Sequence, residues 1–219
     1  MSHQFTVTPA RVIEILSIAG MPSNGTPATL VCWAYADSLP AVAGLINIQS
    51  TATADAHHLK TKSASSSLWA ETIDQGVFSQ EIQHLTPISL ATWFHAVGIF
   101  SDVSTRSVIL NATNQVNGGS VVNASGMDKM MISWGPSGDR WEGKLAALGY
   151  WEAVLLAGEI ASLAKGFPPR RIRPQSLKLY IPGIRECFNW SKVGPVYFGG
   201  VGDPNKPTHS TVQHRSYGF

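Results

Sequence analysis

Short runs of β-branched and aromatic residues recur along the whole chain, each closed by a cluster of Gly, Pro, Ser, Asn or Asp. Runs this brief do not make amphipathic helices; they read as antiparallel strands joined by tight turns, the pattern of a sandwich or barrel. At 219 residues, one all-β sandwich accounts for the whole sequence.

Residues 29–35, Thr-Leu-Val-Cys-Trp-Ala-Tyr, are apolar on both alternating sides, which predicts a strand covered on both faces near the middle of the sandwich. A turn at Ser38, Leu39 and Pro40 leads to the next strand, over residues 44–49. The clearest hairpin runs from 93–100 through a turn at 101–105 into 106–111. Alternation places Trp93, His95, Val97 and Ile99 on one side and Phe94, Ala96, Gly98 and Phe100 on the other. His95 therefore reads as a hydrogen-bonded strand histidine among core residues, and Trp33, Trp93 and Trp151 read as core.

Residues 51–67 turn polar and small, with His57, His58, Lys60 and Lys62 scattered among them. Adjacent histidines point to opposite faces of a strand, which argues against a two-histidine metal site and for an exposed strand or loop. Residues 141–151 fit a strand or a buried helix by period, and their two glycines and aromatic pair favour the strand. Over 159–165 the apolar spacing, Glu159 at the start, Lys165 at the end, Gly166 next and Pro168-Pro169 beyond predict a short helix with a glycine stop.

Four pieces in this order carry a likeness: the Trp-Phe-His-Ala-Val hairpin ending in Leu-Asn, then Trp-Glu-Gly-Lys-Leu-Ala-Ala-Leu-Gly-Tyr-Trp, then Ala-Gly-Glu-Ile-Ala-Ser-Leu-Ala-Lys-Gly, then Ile-Arg-Pro-Gln-Ser-Leu-Lys-Leu-Tyr-Ile-Pro. Over residues 28–183 the chain resembles the laminin-G-like, concanavalin A-like lectin-glucanase family, and more narrowly its versions in bacteriophage virion structural proteins. The resemblance implies an all-β, concanavalin A-like jelly-roll β-sandwich of two antiparallel sheets with one short helix and extended terminal arms. It divides the chain into an N-terminal arm (1–12), a laminin-G-like sandwich (13–185) and a C-terminal extended arm (186–219). It also implies that the helix closes one edge, and that residues 177–181 form a late strand near the N-terminal one. The chain departs from the family's lectin-like members in its calcium signature: Asp102 and Asp128 stand isolated in turns.

Charge and composition narrow the function. Lys plus Arg number 16 against 14 for Asp plus Glu, and the one dense basic cluster, Arg170, Arg171 and Arg173, lies among prolines as a solvated turn would. A nucleic-acid partner would leave a face-wide basic patch, so none is expected. No apolar run approaches the ~20 residues that cross a bilayer, so no membrane partner is expected. The start, Met-Ser-His-Gln-Phe, lacks a signal-peptide layout, and synthesis in the host cytoplasm is expected. On that footing the Asn-x-Ser/Thr triplets at Asn24, Asn111, Asn123 and Asn189 are chance matches. Cys32 and Cys187 form no metal motif, Cys32 reads as a core residue, and no metal or cofactor is expected.

Three function classes remain. Retaining glycoside hydrolysis needs two carboxylates about 5 to 5.5 Å apart, commonly two or four residues apart on one strand. No two acids here have that spacing, and Glu71 with Asp74 and Asp139 with Glu142 are three apart; no enzyme is expected. A carbohydrate-binding, lectin-like module would stack sugars on exposed aromatics, and Trp69, Trp134 and Trp141, beside polar turns, are the candidates. The third class, favoured by the resemblance, is a virion structural protein: a head-decoration, capsid-stabilising or tail-associated subunit whose partners are other virion proteins and copies of itself. Charged residues make up only 14% of the chain against about 25% in typical soluble domains, which suits a surface that meets protein. The segment from Glu186 carries Phe188, Trp190, Tyr197, Phe198, Tyr217 and Phe219, and these are the expected subunit-interface residues. Each large side chain buried contributes on the order of 1.5 to 3 kcal/mol toward ordering such an arm, on a neighbour or on its own domain.

Overall fold

The computed structural model describes residues 12–16, 18, 21–76, 78–134, 140–181 and 197–199. Along them run β1 Val12–Leu16, β2 Ala28–Ala36, β3 Val42–Ser50, β4 Ala56–Lys62, β5 Ser67–Asp74, β6 Phe78–Gln83, β7 Trp93–Phe100 and β8 Arg106–Leu110. Then follow β9 Thr113–Gly118, β10 Met127–Ile132, β11 Gly143–Trp151, the helix α1 Ala157–Ala164, β12 Leu177–Ile181 and β13 Tyr197–Gly199. The strands pair antiparallel in two sheets, ordered β13-β1-β10-β3-β4-β5-β6 and β12-β11-β2-β7-β8-β9.

Alternation builds the core between them. From the six-stranded sheet Leu30, Cys32, Ala34, Phe94, Phe100, Val108, Leu145 and Tyr150 point inward; from the seven-stranded sheet Ile46, Ile48, Leu59, Leu68, Ala70, Met130 and Ile132 meet them. A charged side chain lies in this layer: Arg106 is fully buried, and its guanidinium donates to Thr72 Oγ1 and to the carbonyls of Ser120 and Val103.

A second, smaller core lies on the outer face of the six-stranded sheet. Ile160 and Leu163 of α1, with Leu155, pack there on Val31, Val97, Ile99, Ile109 and Trp151. The helix expected to close an edge lies instead over this face, because the alternate residues of β2 and β7 are apolar here as well. It begins at Ala157, two residues before the expected start, and Lys165 falls at the C-cap beyond its last turn. Glu159 accepts the Leu156 amide at 2.7 Å, and past the helix the Gly166 and Phe167 amides donate to Leu163 and Ser162, with Gly166 at φ +87. Arg173 of the expected solvated turn is tied down: its Nε donates to Glu159 at 2.6 Å. β12 pairs with β11, which puts it one strand from β2 and in the other sheet from β1.

The segment 51–67 holds a correction. β4 is a central strand between β3 and β5, not an exposed strand or loop, and His57 and His58 are both buried, on opposite faces. Inward-facing His57 stacks on Phe100 at 4.5 Å and bonds Thr72 Oγ1 at 2.9 Å and the Asn24 carbonyl at 2.8 Å. Those partners let a polar strand occupy the middle of a sheet.

Candidate functional site: the outer face of the seven-stranded sheet

With Ile46, Ile48, Leu59, Leu68, Ala70 and Ile82 turned inward, alternation turns Asn47, Gln49, His58, Lys60, Lys62, Trp69, Glu71, Glu81 and Gln83 outward. Strand register sets them in rows. Asn47, His58, Glu71 and Glu81 face one another across β3, β4, β5 and β6, and Lys60, Trp69 and Gln83 form the next row. Although they point away from the core, Asn47, Gln49, His58, Lys60 and Glu71 are all buried.

Burying these charges is tolerable because they are paired. Lys60 Nζ lies 2.5 Å from Glu71 Oε2 and 2.6 Å from Glu81 Oε1, and Lys62 Nζ reaches Glu81 at 2.6 Å. Two cations thus balance two carboxylates. His58 Nδ1 lies 3.0 Å from Glu71 Oε2. Burial pushes the Glu71 carboxyl up, but the bond from His58 and the Lys60 charge outweigh it and hold the group at about 2. Burial also lowers the His58 pKa, against the pull of Glu71, so the ring is neutral at pH 7.

The tautomer follows. A neutral His58 whose Nδ1–H donates to Glu71 carries a lone pair on Nε2, and that nitrogen is buried with no partner. Its cross-strand neighbour Asn47 donates from Nδ2 to the Trp134 carbonyl, which leaves Asn47 Oδ1 buried and unpartnered too. Gln49 Nε2, on the same strand face, is a buried donor without a partner. Two acceptors side by side and a donor nearby are groups whose desolvation is uncompensated within the fold.

The three tryptophans read as sugar-stacking candidates separate. Trp69 lies on this face, half-buried, its indole N–H donating to Ser65 Oγ at 3.1 Å and Lys62 Nζ standing 4.4 Å from its ring centroid. Trp134 borders the site through its backbone: its carbonyl crosses so close to Gly44 that a Cβ there would lie 1.6 Å from the oxygen. Trp141 is a core residue, 1% exposed and edge-on to Phe94 at 6.0 Å, so it has no free face for a sugar. Trp33 and Trp93, expected in the core, are half-buried on the outer face of the other sheet, whereas Trp151 is fully buried. Of the expected interface residues, Tyr197 and Phe198 fall in β13, which pairs with β1 of the same chain; Phe188, Trp190, Tyr217 and Phe219 lie outside the described residues.

Glu71 and Glu81 escape a reading by local spacing because they meet across two strands. Facing carboxylates invite comparison with a glycosidase pair, in which one carboxyl must stay protonated to act as the acid. Glu71 is held ionised, and both Glu81 oxygens are bonded by lysines. The pair suits hydrogen bonding rather than proton transfer. Among the described residues, no three His, Cys, Asp or Glu side chains are placed to hold a metal ion, and no helix is long and apolar enough to cross a membrane.

No family model matches the chain, and no curated protein matches it significantly. Solved structures do. A heptameric SAP-like pentraxin from Limulus polyphemus superposes with a TM-score of 0.55 over 89% of this chain and 90% of its own, at 14% identity. Domain 4 of the arabinanase AbnA from Geobacillus stearothermophilus, in complex with arabinotriose, gives 0.56 over 70% and 72% at 14% identity. Domains LG4-5 of the mouse laminin α1 chain give 0.54 over 67% and 40% at 10% identity. The fold is the concanavalin A-like jelly roll. At these identities the likeness establishes the jelly roll and no more.

Proposed function

We propose that this jelly roll is a non-catalytic, lectin-like carbohydrate-binding module whose site is the outer face of the seven-stranded sheet. The observation that carries the reading is the pair of adjacent, buried, unpartnered acceptors, Asn47 Oδ1 and His58 Nε2, with half-buried Trp69 in the neighbouring row. Neighbouring hydroxyls of a sugar donate to two such acceptors and accept from Gln49 Nε2, while an aromatic ring takes the apolar face of the pyranose or furanose. Lys60 and Lys62 are matched by Glu71 and Glu81 at the centre of this face, which favours a neutral sugar there. The arabinotriose complex of the arabinanase domain supports the same class of ligand on this fold.

A screen of the full chain on an array of neutral and acidic glycans, followed by calorimetric titration of the hits, tests this. Neutral glycans bind, and Asn47→Ala and Trp69→Ala each weaken binding at least about tenfold, the equivalent of about 1.4 kcal/mol, while the melting temperature confirms folding. Binding unchanged in both variants, or confined to acidic glycans, sinks the reading.

The virion reading rests on the sequence resemblance, and a decoration or tail-associated subunit bearing a glycan-binding face joins the two. Its clasping arm competes with an intrachain role, since Tyr197–Gly199 already pairs with β1. Light scattering of the full chain and of a chain ending before Glu186 separates them: a defined oligomer that becomes a folded monomer on truncation supports assembly, and two monomers overturn it.

A further inference from the structure

The outer face of the six-stranded sheet is only half covered. The cross-strand pairs Thr29–Ile99 and Val31–Val97 lie on the half of β2 and β7 where the α1 cluster packs, but the next two pairs, Trp33–His95 and Tyr35–Trp93, are not part of that cluster. Their rings form a two-by-two array: Trp33 to His95 at 5.3 Å and 56°, Tyr35 to Trp93 at 5.7 Å and 59°. Trp33, Tyr35 and Trp93 are half-buried. On the neighbouring strand the partner of Trp33 is the small residue Ala146, and Lys144 stands at the rim with Nζ 4.4 Å from the Tyr35 ring centroid.

At the floor of the array lies His95, 0% exposed, and neither of its ring nitrogens has a hydrogen-bond partner. The expected hydrogen-bonded strand histidine is thus buried but unbonded, because its cross-strand neighbour is an indole and the bonds to Asn111 are made by its backbone. A neutral imidazole offers one donor and one acceptor. An apolar protein surface docked here would match the rings, yet it would leave both nitrogens unsatisfied and strip water from the Lys144 ammonium. A ligand with apolar C–H faces and hydroxyls at its edges matches the rings and the ammonium, and its hydroxyls supply the partners that the His95 nitrogens lack where Trp33 turns aside.

We propose that Trp33, Tyr35, Trp93 and His95 form a second saccharide-binding surface, a platform for successive rings of a neutral polysaccharide chain, on the opposite side of the sandwich from the polar site. It goes beyond the function proposed above and does not depend on it. Trp33 and Trp93 stack on sugar rings, and His95 exchanges hydrogen bonds with a hydroxyl once the tilted Trp33 ring turns aside.

Native affinity electrophoresis of the full chain tests the platform, with soluble mixed-linkage β-glucan, xylan or galactomannan cast in the gel. At least one polysaccharide retards the wild type. The Trp33→Ala/Trp93→Ala double variant binds at least about tenfold more weakly, in line with the loss of two stacking contacts. Ala146→Arg, which covers the platform from β11 without removing its rings, has the same effect, and the retardation that remains in Trp69→Ala, where the polar site is weakened, is lost when Ala146→Arg is added. Ala146→Arg also serves if the double variant fails to fold. Migration of the wild type unchanged in all three gels overturns the proposal, as does retardation that Ala146→Arg leaves undiminished. Loss in Trp69→Ala alone assigns binding to the polar site and removes the platform. Wild-type self-association in light scattering that Ala146→Arg abolishes makes this face an interface between copies, and also overturns the proposal.

Discussion

The two outward faces of the sandwich solve the same problem in opposite ways. On the seven-stranded sheet the outward residues are polar and charged, yet Lys60 and Glu71 are almost fully buried and locked to each other. On the six-stranded sheet they are apolar and aromatic, yet Trp33, Tyr35 and Trp93 remain half-exposed beside the helix-covered half. Residue type therefore does not tell which face meets solvent. The polar face is held by directional bonds, and each part of it depends on the next; the aromatic face is held by area, and its parts are separable.

Glu71→Gln breaks that contrast most forcefully. It leaves Lys60 buried with one carboxylate fewer and removes the charge that orients His58, and the expected loss is about 3–5 kcal/mol in urea unfolding. A loss under about 1 kcal/mol would mean that the polar face behaves as a solvated surface, and the contrast would fail.

Acid distinguishes the groups in sequence. Burial lowers the pKa of His57 and of His95 to about 4, so below the ordinary imidazole value of 6.5 the unfolded chain takes up protons that the folded chain refuses. Their contribution is present above pH 6.5 and is lost between 6.5 and about 4, on the order of 3 kcal/mol for each. Glu71, lowered to about 2 from 4.5, adds a second loss as pH falls through that lower window. Unfolding measured from pH 7 to 3 should show stability falling continuously, with the histidine step first. A flat profile from 6.5 to 4 would mean that both imidazoles accept protons in the fold.

Much of this architecture is legible in the sequence. Alternation from Trp93 to Phe100 gives the correct two faces of β7, and Glu159 with Gly166 marks the ends of α1. What alternation leaves open is what lies on each face. Trp33 and Trp93 look like core because they are large and apolar, but the helix cover stops one row short of them; Trp141 looks available beside polar neighbours, but it folds back onto Phe94. The Lys60, Glu71 and Glu81 network joins residues on three strands, and its register follows from pairing rather than from spacing along the chain. The one local trace of the polar site is β4 itself, whose alternate residues His58, Lys60 and Lys62 carry one chemistry along one face.

His95→Leu sharpens the comparison from the aromatic side. It removes two unpartnered buried nitrogens and no side-chain hydrogen bond, so stability at pH 7 should be unchanged or raised by up to about 1 kcal/mol. The histidine step in the acid profile should shrink as well. A loss above about 2 kcal/mol at pH 7 would show that the imidazole packs in a way leucine cannot copy.

The smallest effect is expected where the polar face opens to solvent. Lys62 and Glu81 are 23% and 25% exposed, against 2% for Lys60, so water screens their pair. Lys62→Ala removes this ion pair and the cation beside Trp69, and the expected cost is below about 1 kcal/mol. The same substitution also frees one face of the indole, so glycan affinity should change more than stability does. A cost near that of Glu71→Gln would make the network one buried unit from end to end. In that case Trp69 would be a structural prop of the sheet, and the sugar would have to enter from the Asn47 side.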